Sequence, residues 1–153
     1  MSEDSRISPD LAERMARATP QSAALGLRAV SAGRDWAIMA VPWRADLVGD
    51  PESGVIAGGV VTTLLDQTCG LAVSSRAHAE GRLTGLATLD LRIDYMRGAE
   101  PGKDIFARAH CYRLTRSIGF VRAAAYEVDE ADPVATAQAA FALTPASSVP
   151  SRS

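Results

Sequence analysis

GVIAGGVVTTLLDQTCGLAV, residues 54–73, decides how the chain is read. Asp66 is the only charged residue between Glu52 and Arg76. Its neighbours are apolar, small or hydroxyl-bearing. Val61, Leu64, Leu65, Thr68, Leu71, Ala72 and Ser75 recur at helical spacing and predict a helix from about Gly58 to Ala77. The opposite side carries Gly59, Thr62, Asp66, Gly70 and Val73, with no Lys, Arg or Glu. A helix that is nearly apolar all round is expected to be covered all round. A carboxylate in such surroundings is costly to bury without partners, so Asp66 is a candidate for chemistry; a structural Asp bonded to a neighbouring loop is the alternative.

Outward from this helix, residues 8–18 predict a short helix with Ser8 as its cap and Pro9 in its first turn. Residues 24–31 and 35–41 read as strands joined by a turn at SAGRD, and WRADLVGDPESG reads as a loop. Four strand-like segments follow the helix: 86–96, 104–114, 117–128 and 134–143. In the first, Ala87, Leu89, Leu91, Ile93 and Tyr95 alternate with Thr88, Asp90, Arg92 and Asp94, which predicts opposite faces. Short links predict that the four are successive antiparallel neighbours, a meander around the helix. The chain thus reads as one α+β domain over 1–153, with 1–20 a helical lead-in and 145–153 a disordered tail. One helix face is left without a cover, and a second copy of the chain is the simplest source of one.

Composition narrows the function. Hydrophobic residues are 47%, charged residues 22% and the net charge is -2, so no broad basic field points to nucleic acid. The polar start, MSEDSRIS, leads to no apolar segment, and no run is long enough for a membrane helix. A cytoplasmic location is the expectation. Cys69 and Cys111 have no metal spacing and read as buried thiols, while His78 and His110 have no nucleophile or metal-spaced neighbour.

The order of elements, together with G-x-x-x-G-G-V-x-x-x-L-L-D-x-x-x-G from Gly54 to Gly70 and T-x-D-x-x-x-x-Y from Thr88 to Tyr95, resembles the hotdog fold and, within it, the PaaI-like acyl-CoA thioesterases. The resemblance runs from about residue 45 to 143. It implies a long central helix wrapped by a curved antiparallel sheet, paired into a dimer and often a tetramer. It implies hydrolysis of an acyl- or aryl-acyl-CoA thioester, with coenzyme A present only as part of the substrate and no metal. Residue by residue, it implies Gly58 as the backbone oxyanion donor, Asp66 as general base or nucleophile, and Thr88 as the hydroxyl that places the water. The family's His-Gly-Gly is Ala57, Gly58 and Gly59 here, and the family's Asn ahead of it corresponds to Asp50.

The residues support this chemistry on their own terms. A helix N-terminus offers free N–H groups and a partial positive charge, and Gly58 and Gly59 would let a ligand approach the backbone. A tight loop-to-helix turn is the plainer reading of the pair. Gly58 and Asp66 are eight residues apart, roughly 12 Å along a helix. If both act on one carbonyl, they must come from two chains. Arg97, Arg113 and Arg116 are candidates for the phosphates of coenzyme A, with a solvated rim as the alternative. Gly70, Ala72, Ala123, Ala124 and Ala125 suggest room for an acyl group between the helix and a partner's sheet. A hydratase would need a His within the motif. A non-catalytic acyl-CoA or lipid binder is the rival, supported by Ala57 and opposed by Asp66. An oligomerisation module would leave Asp66 unexplained.

Overall fold

Two short helices lead into the domain in this computed structural model, which describes residues 8–82 and 84–145. Helix α1 (Pro9–Ala16) is capped by Ser8, whose hydroxyl accepts from the Leu11 N–H, and α2 (Pro20–Leu25) by Thr19, whose hydroxyl accepts from the Ser22 N–H. Each has Pro in its first turn, where a missing N–H costs nothing. Residues 24 and 25, expected in a strand, complete α2. Gly26 ends it with a left-handed φ of 75°, so the strand begins only at Arg28. Strands β1 (Arg28–Ala32) and β2 (Trp36–Val41) follow, and the expected loop contains a small hairpin, β3 (Val48–Asp50) and β4 (Val55–Ile56).

Helix α3 (Gly58–Ala79) is the axis. It ends where Gly81 turns left-handed at φ 72°; the Arg82 N–H reaches back to the Ala77 carbonyl and the Gly81 N–H to that of His78. This closure satisfies carbonyls that the helix leaves open. The expected stripe is buried from Val61 to Ser75, and Val60, Cys69 and Val73 are buried with it. Helical spacing alone places Val73 on the opposite side. It is covered because Gly119 brings a strand unusually close: a Cβ there would sit 2.6 Å from Val73 Cγ1. The remaining side, including Gly59, Thr62, Asp66, Gln67 and Gly70, is only partly covered by this chain.

The sheet comprises β1, β2, β5 (Thr84–Tyr95), β6 (Ile105–Leu114), β7 (Ile118–Tyr126) and β8 (Ala135–Pro145), in the order β1-β2-β6-β7-β8-β5, with every pairing antiparallel. Only β6, β7 and β8 form the expected meander. Strand β5 pairs with β8 and not with its successor β6. The link from Met96 to Asp104 is long enough to cross, and an ion-pair cluster fixes it. The Arg97 guanidinium donates twice to Glu127, at 2.9 and 2.6 Å, and to the Asp132 carbonyl at 2.8 Å. Glu127 also accepts from the Glu100 N–H at 2.7 Å.

A second departure matters for the site. The β5–β8 register slips between Thr88 and Asp90, leaving Leu89 as an extra residue that is 58% exposed. Such a bulge reverses the alternation beyond it. Leu86 and Thr88 before the bulge, and Leu91, Ile93 and Tyr95 after it, therefore share the helix-facing side, where Leu86, Leu91 and Ile93 pack on the core. Strict alternation puts Thr88 and Tyr95 on opposite faces, and the bulge corrects that expectation. Among the described residues no helix is long and apolar enough to cross a membrane. The expected tail lies, from residue 146 onward, outside the described residues.

Candidate active site

Asp66 lies half-covered in the middle of α3, and the Thr88 hydroxyl donates to its Oδ1 at 2.8 Å. The bulge in β5 makes this contact possible, because it turns Thr88 toward the helix and still allows Tyr95 to follow on the same side. The Asp66 carboxylate is not sealed in the core. It opens with Thr88 into a cavity of about 290 Å³. The cavity is bounded by Gly70 and Leu71 of α3, Leu86 and Phe141 of the sheet, and the residues around the end of α1. Ala123, Ala124 and Ala125 lie on β7 and do not line it.

At the other end of this segment, Gly58 opens the helix. Its cap residue, Ala57, has no side-chain hydrogen bond to the first turn, and that turn holds no acidic residue. The first amides of a helix have no intrahelical acceptor, so Gly58 and Gly59 present N–H groups that nothing in the side chain of Ala57 can satisfy. A Cβ on Gly59 would meet nothing within 4 Å. Packing within this chain therefore gives no reason for glycine at position 59. The loop entering the helix is held from outside: the Ala57 N–H donates to the Leu47 carbonyl at 2.9 Å, and a Cβ on Gly49 would lie 2.9 Å from Ala57 Cα.

Tyr95 anchors the first turn, a role sequence reasoning did not assign to it. Its hydroxyl donates to the Gly58 carbonyl at 2.7 Å and lies 2.7 Å from Thr62 Oγ1, which itself reaches Gly58 O at 3.1 Å. Alternation already places Tyr95 on the side of Leu91 and Ile93, and the bulge brings Thr88 to that same face. Because the peptide carrying Gly58 C=O also carries the Gly59 N–H, this hydroxyl pair fixes the orientation of that donor.

The other expected residues separate into neighbours and outliers. Asp50 is the exposed last residue of β3, at the start of the β3–β4 turn, where Ser53 and the Glu52 N–H hold its carboxylate below the usual range. It shapes the hairpin beside Ala57. Arg97, expected at a phosphate, is committed to Glu127 and Asp132, so its guanidinium already has its anions. Arg116 is exposed in the β6–β7 turn, with its carbonyl bonded by Arg82 just beyond the end of α3. The whole helix, 22 residues or roughly 33 Å, lies between that end and Gly58. Arg113 is exposed on β6. His110 lies 3.4 Å from Asp35. Burial pushes the Cys69 thiol up, and Cys111 is pushed up to about 11 by its own burial. Neither is poised as a thiolate nucleophile. Among the described residues no cluster of His, Cys, Asp or Glu could hold a metal ion.

Residues 53–134 match the model of the Thioesterase superfamily. The chain belongs to the thioesterase superfamily. It is a hotdog protein of the PaaI-like kind. A crystal structure from Pseudomonas aeruginosa is similar with a TM-score of 0.78 and 38% identity, covering 87% of this chain and 96% of that one. The phenylacetic acid degradation protein PaaI of Thermus thermophilus, solved as a mutant, is similar with a TM-score of 0.67 and 28% identity over 81% of this chain and 98% of that one. A Halobacterium salinarum protein named as a putative esterase is 32% identical over 100 residues, 65% of this chain. The matched region spans 61% of that relative's length. Superfamily membership supports hydrolysis of a thioester as the general activity.

Proposed function

We propose that this thioesterase-superfamily protein hydrolyses an acyl- or aryl-acyl-CoA thioester in a site shared between two copies of the chain. The observation that carries the reading is the Asp66–Thr88 pair, a carboxylate held by a hydroxyl in the wall of a cavity whose other lining is mostly apolar. With Oδ1 occupied by Thr88, Oδ2 is left to accept a proton from water. The water oxygen then attacks the thioester carbonyl carbon. The N–H groups of Gly58 and Gly59 stabilise the oxyanion, worth several kcal/mol where such donors are preorganised. Collapse of the tetrahedral intermediate breaks the C–S bond. The thiol leaves with the proton from Asp66, and the acid is released. Direct attack by Asp66 through an anhydride would use the same groups.

Two further features support a shared site. Gly58 and Asp66 lie on one helix, eight residues apart, so a single chain cannot bring both to one carbonyl. Among the described residues, strand β5 is a 12-residue edge paired only with β8, carrying Leu89 and Tyr95 more than half exposed. A long edge of this kind is a template for another chain. Pairing of two copies there would cover the open side of α3 and bring the first turn of one helix toward Asp66 of the other. The rival reading, a non-catalytic acyl-CoA binder, is favoured by Ala57, which cannot contribute the side chain that the His-Gly-Gly motif supplies.

Thiol release from a panel of CoA thioesters, from short straight chains to long chains and aryl-acyl groups, tests the reading. Turnover of at least one is expected. Binding without turnover across the panel would favour the binder. Within the same assay, Thr88→Val should lower kcat about 10- to 100-fold, the loss of one hydrogen bond to a charged group. Thr88→Ser should restore most of it. An unchanged kcat in Thr88→Val would remove Thr88 from the mechanism.

A further inference from the structure

We infer that Tyr95, oriented by Thr62, is a positioning residue for the reaction: its hydroxyl aims and strengthens the Gly59 N–H, and so holds the first turn of α3 from the sheet where Ala57 cannot hold it from the cap. This deepens the hydrolase reading and rests on it for the identity of the carbonyl that the amide meets.

The count of protons decides the arrangement. The Gly58 carbonyl has two lone pairs. In a helix that starts at Gly58, one of them takes the Thr62 N–H, four residues on. One remains, and two hydroxyls stand beside it, Tyr95 at 2.7 Å and Thr62 at 3.1 Å. The two hydroxyl oxygens are themselves 2.7 Å apart. Each hydroxyl has a single proton to give. Both short contacts are made together in one order only: the Thr62 hydroxyl donates to the Tyr95 oxygen, and the Tyr95 hydroxyl donates to the Gly58 carbonyl. Hydrogen bonds in such a chain polarise and strengthen one another. The next group along it is the Gly59 N–H, which shares a rigid peptide plane with the Gly58 carbonyl.

That plane needs the hold. It is flanked by glycine on both sides, so its backbone is the most permissive in the turn. The cap residue, Ala57, makes no side-chain hydrogen bond, and a Cβ on Gly59 would meet nothing within 4 Å. The bond from the Ala57 N–H to the Leu47 carbonyl fixes a peptide two planes earlier. Packing does not account for the tyrosine. Leu91 and Ile93, its predecessors on the same face, pack on the core, whereas Tyr95 is 52% exposed. Phenylalanine would fill the same space; only the hydroxyl reaches Gly58.

Tyr95→Phe therefore tests the inference by two readouts. On the preferred CoA thioester, kcat should fall about 10- to 100-fold, below the roughly 10²–10³-fold for deleting an oxyanion donor outright, because the amide itself remains. KM should stay within about three-fold, since a donor aimed at developing charge acts mainly in the transition state. Thr62→Val, which leaves the tyrosine hydroxyl unoriented, should cause a smaller loss of kcat, and Thr62→Ser should restore it. The second readout needs no turnover. It is the carbonyl stretch, by isotope-edited infrared spectroscopy, of a bound acyl-CoA ketone in which a methylene group replaces the thioester sulfur. On the native protein the stretch should fall below its value in water, and in Tyr95→Phe it should move back toward that value with binding retained. Thr62→Val carries both readouts if the phenylalanine variant does not fold. A tyrosine that serves only the fold would lower Tm and leave the stretch where it was. A native stretch or a native kcat in Tyr95→Phe would overturn the inference. No thiol release by the native protein, with a lowered stretch that depends on Tyr95, would remove the hydrolase reading and leave the positioning role standing; equal turnover by the native protein and Tyr95→Phe would do the reverse.

Discussion

Asp66→Asn should lower kcat for the preferred CoA thioester by about 10²- to 10⁴-fold, the usual contribution of a positioned general base. Asparagine keeps the size of the side chain and an oxygen that can accept from the Thr88 hydroxyl, so the local geometry survives. The lost property is the ability to take a proton from water, or to attack as a carboxylate. KM should change much less, because the group that is lost acts on the attacking water and not on the bound thioester. Steady-state thiol release, with circular dichroism to verify the fold, measures this. A variant retaining more than a tenth of native turnover would mean that Asp66 is a structural carboxylate.

The second large effect concerns stability. Glu127, whose side chain is 3% exposed, accepts twice from Arg97 and once from the Glu100 N–H. Glu127→Gln should destabilise the protein by about 2–3 kcal/mol. That is below the roughly 3–5 kcal/mol for breaking a fully buried pair, because Arg97 is about a third exposed and its freed charge can reach water. In a chain of this size the loss corresponds to roughly 4–12 °C in Tm. The Arg97 guanidinium, ahead of the Glu100 N–H, holds the Glu127 carboxyl at about 2, against an ordinary value of 4.5. A carboxylate whose folded value is depressed contributes its full stability above the unfolded value and loses it as pH falls toward the folded one. The native protein should therefore lose this contribution between about pH 4.5 and pH 2, and Glu127→Gln should show a shallower decline across that window. Thermal unfolding of both proteins as a function of pH measures it. Parallel declines would show that the ion pair does not fasten the crossover link.

The helix and its carboxylate were legible because their signals are local. Apolar residues at helical spacing, an isolated Asp66 and the glycine pair lie close together in the chain, and α3 begins at Gly58 as read. The motif also placed Thr88 on the strand that follows. What the sequence did not disclose depends on contacts distant in the chain. The departure of β5 from β6 is decided by pairing with β8 and by an ion pair between Arg97 and Glu127, 30 positions apart. The bulge at Leu89 adds one residue to a strand whose alternation looks unbroken, and it brings Thr88 and Tyr95 to one face. Arg97 looked like a phosphate ligand because its partner was invisible. The helix α2 was missed for a different reason: Thr19-Pro20 is a cap followed by a first-turn proline, a readable signal masked by the apolar run that follows.

The shared site is the claim on which the functional account turns, and complementation between two inactive variants tests it most directly. Gly59→Val should fold, since a Cβ at that position meets nothing within 4 Å, yet block approach to the first-turn amides. Asp66→Asn keeps those amides and loses the carboxylate. Each variant alone should be inactive on the preferred thioester. Refolded together in equal amounts, half of the dimers would be mixed, and each mixed dimer would regain one intact site of two. The mixture should recover about a quarter of native turnover. No recovery, with mixed dimers demonstrated by mass spectrometry, would contradict a site built from the first turn of one chain and Asp66 of the other.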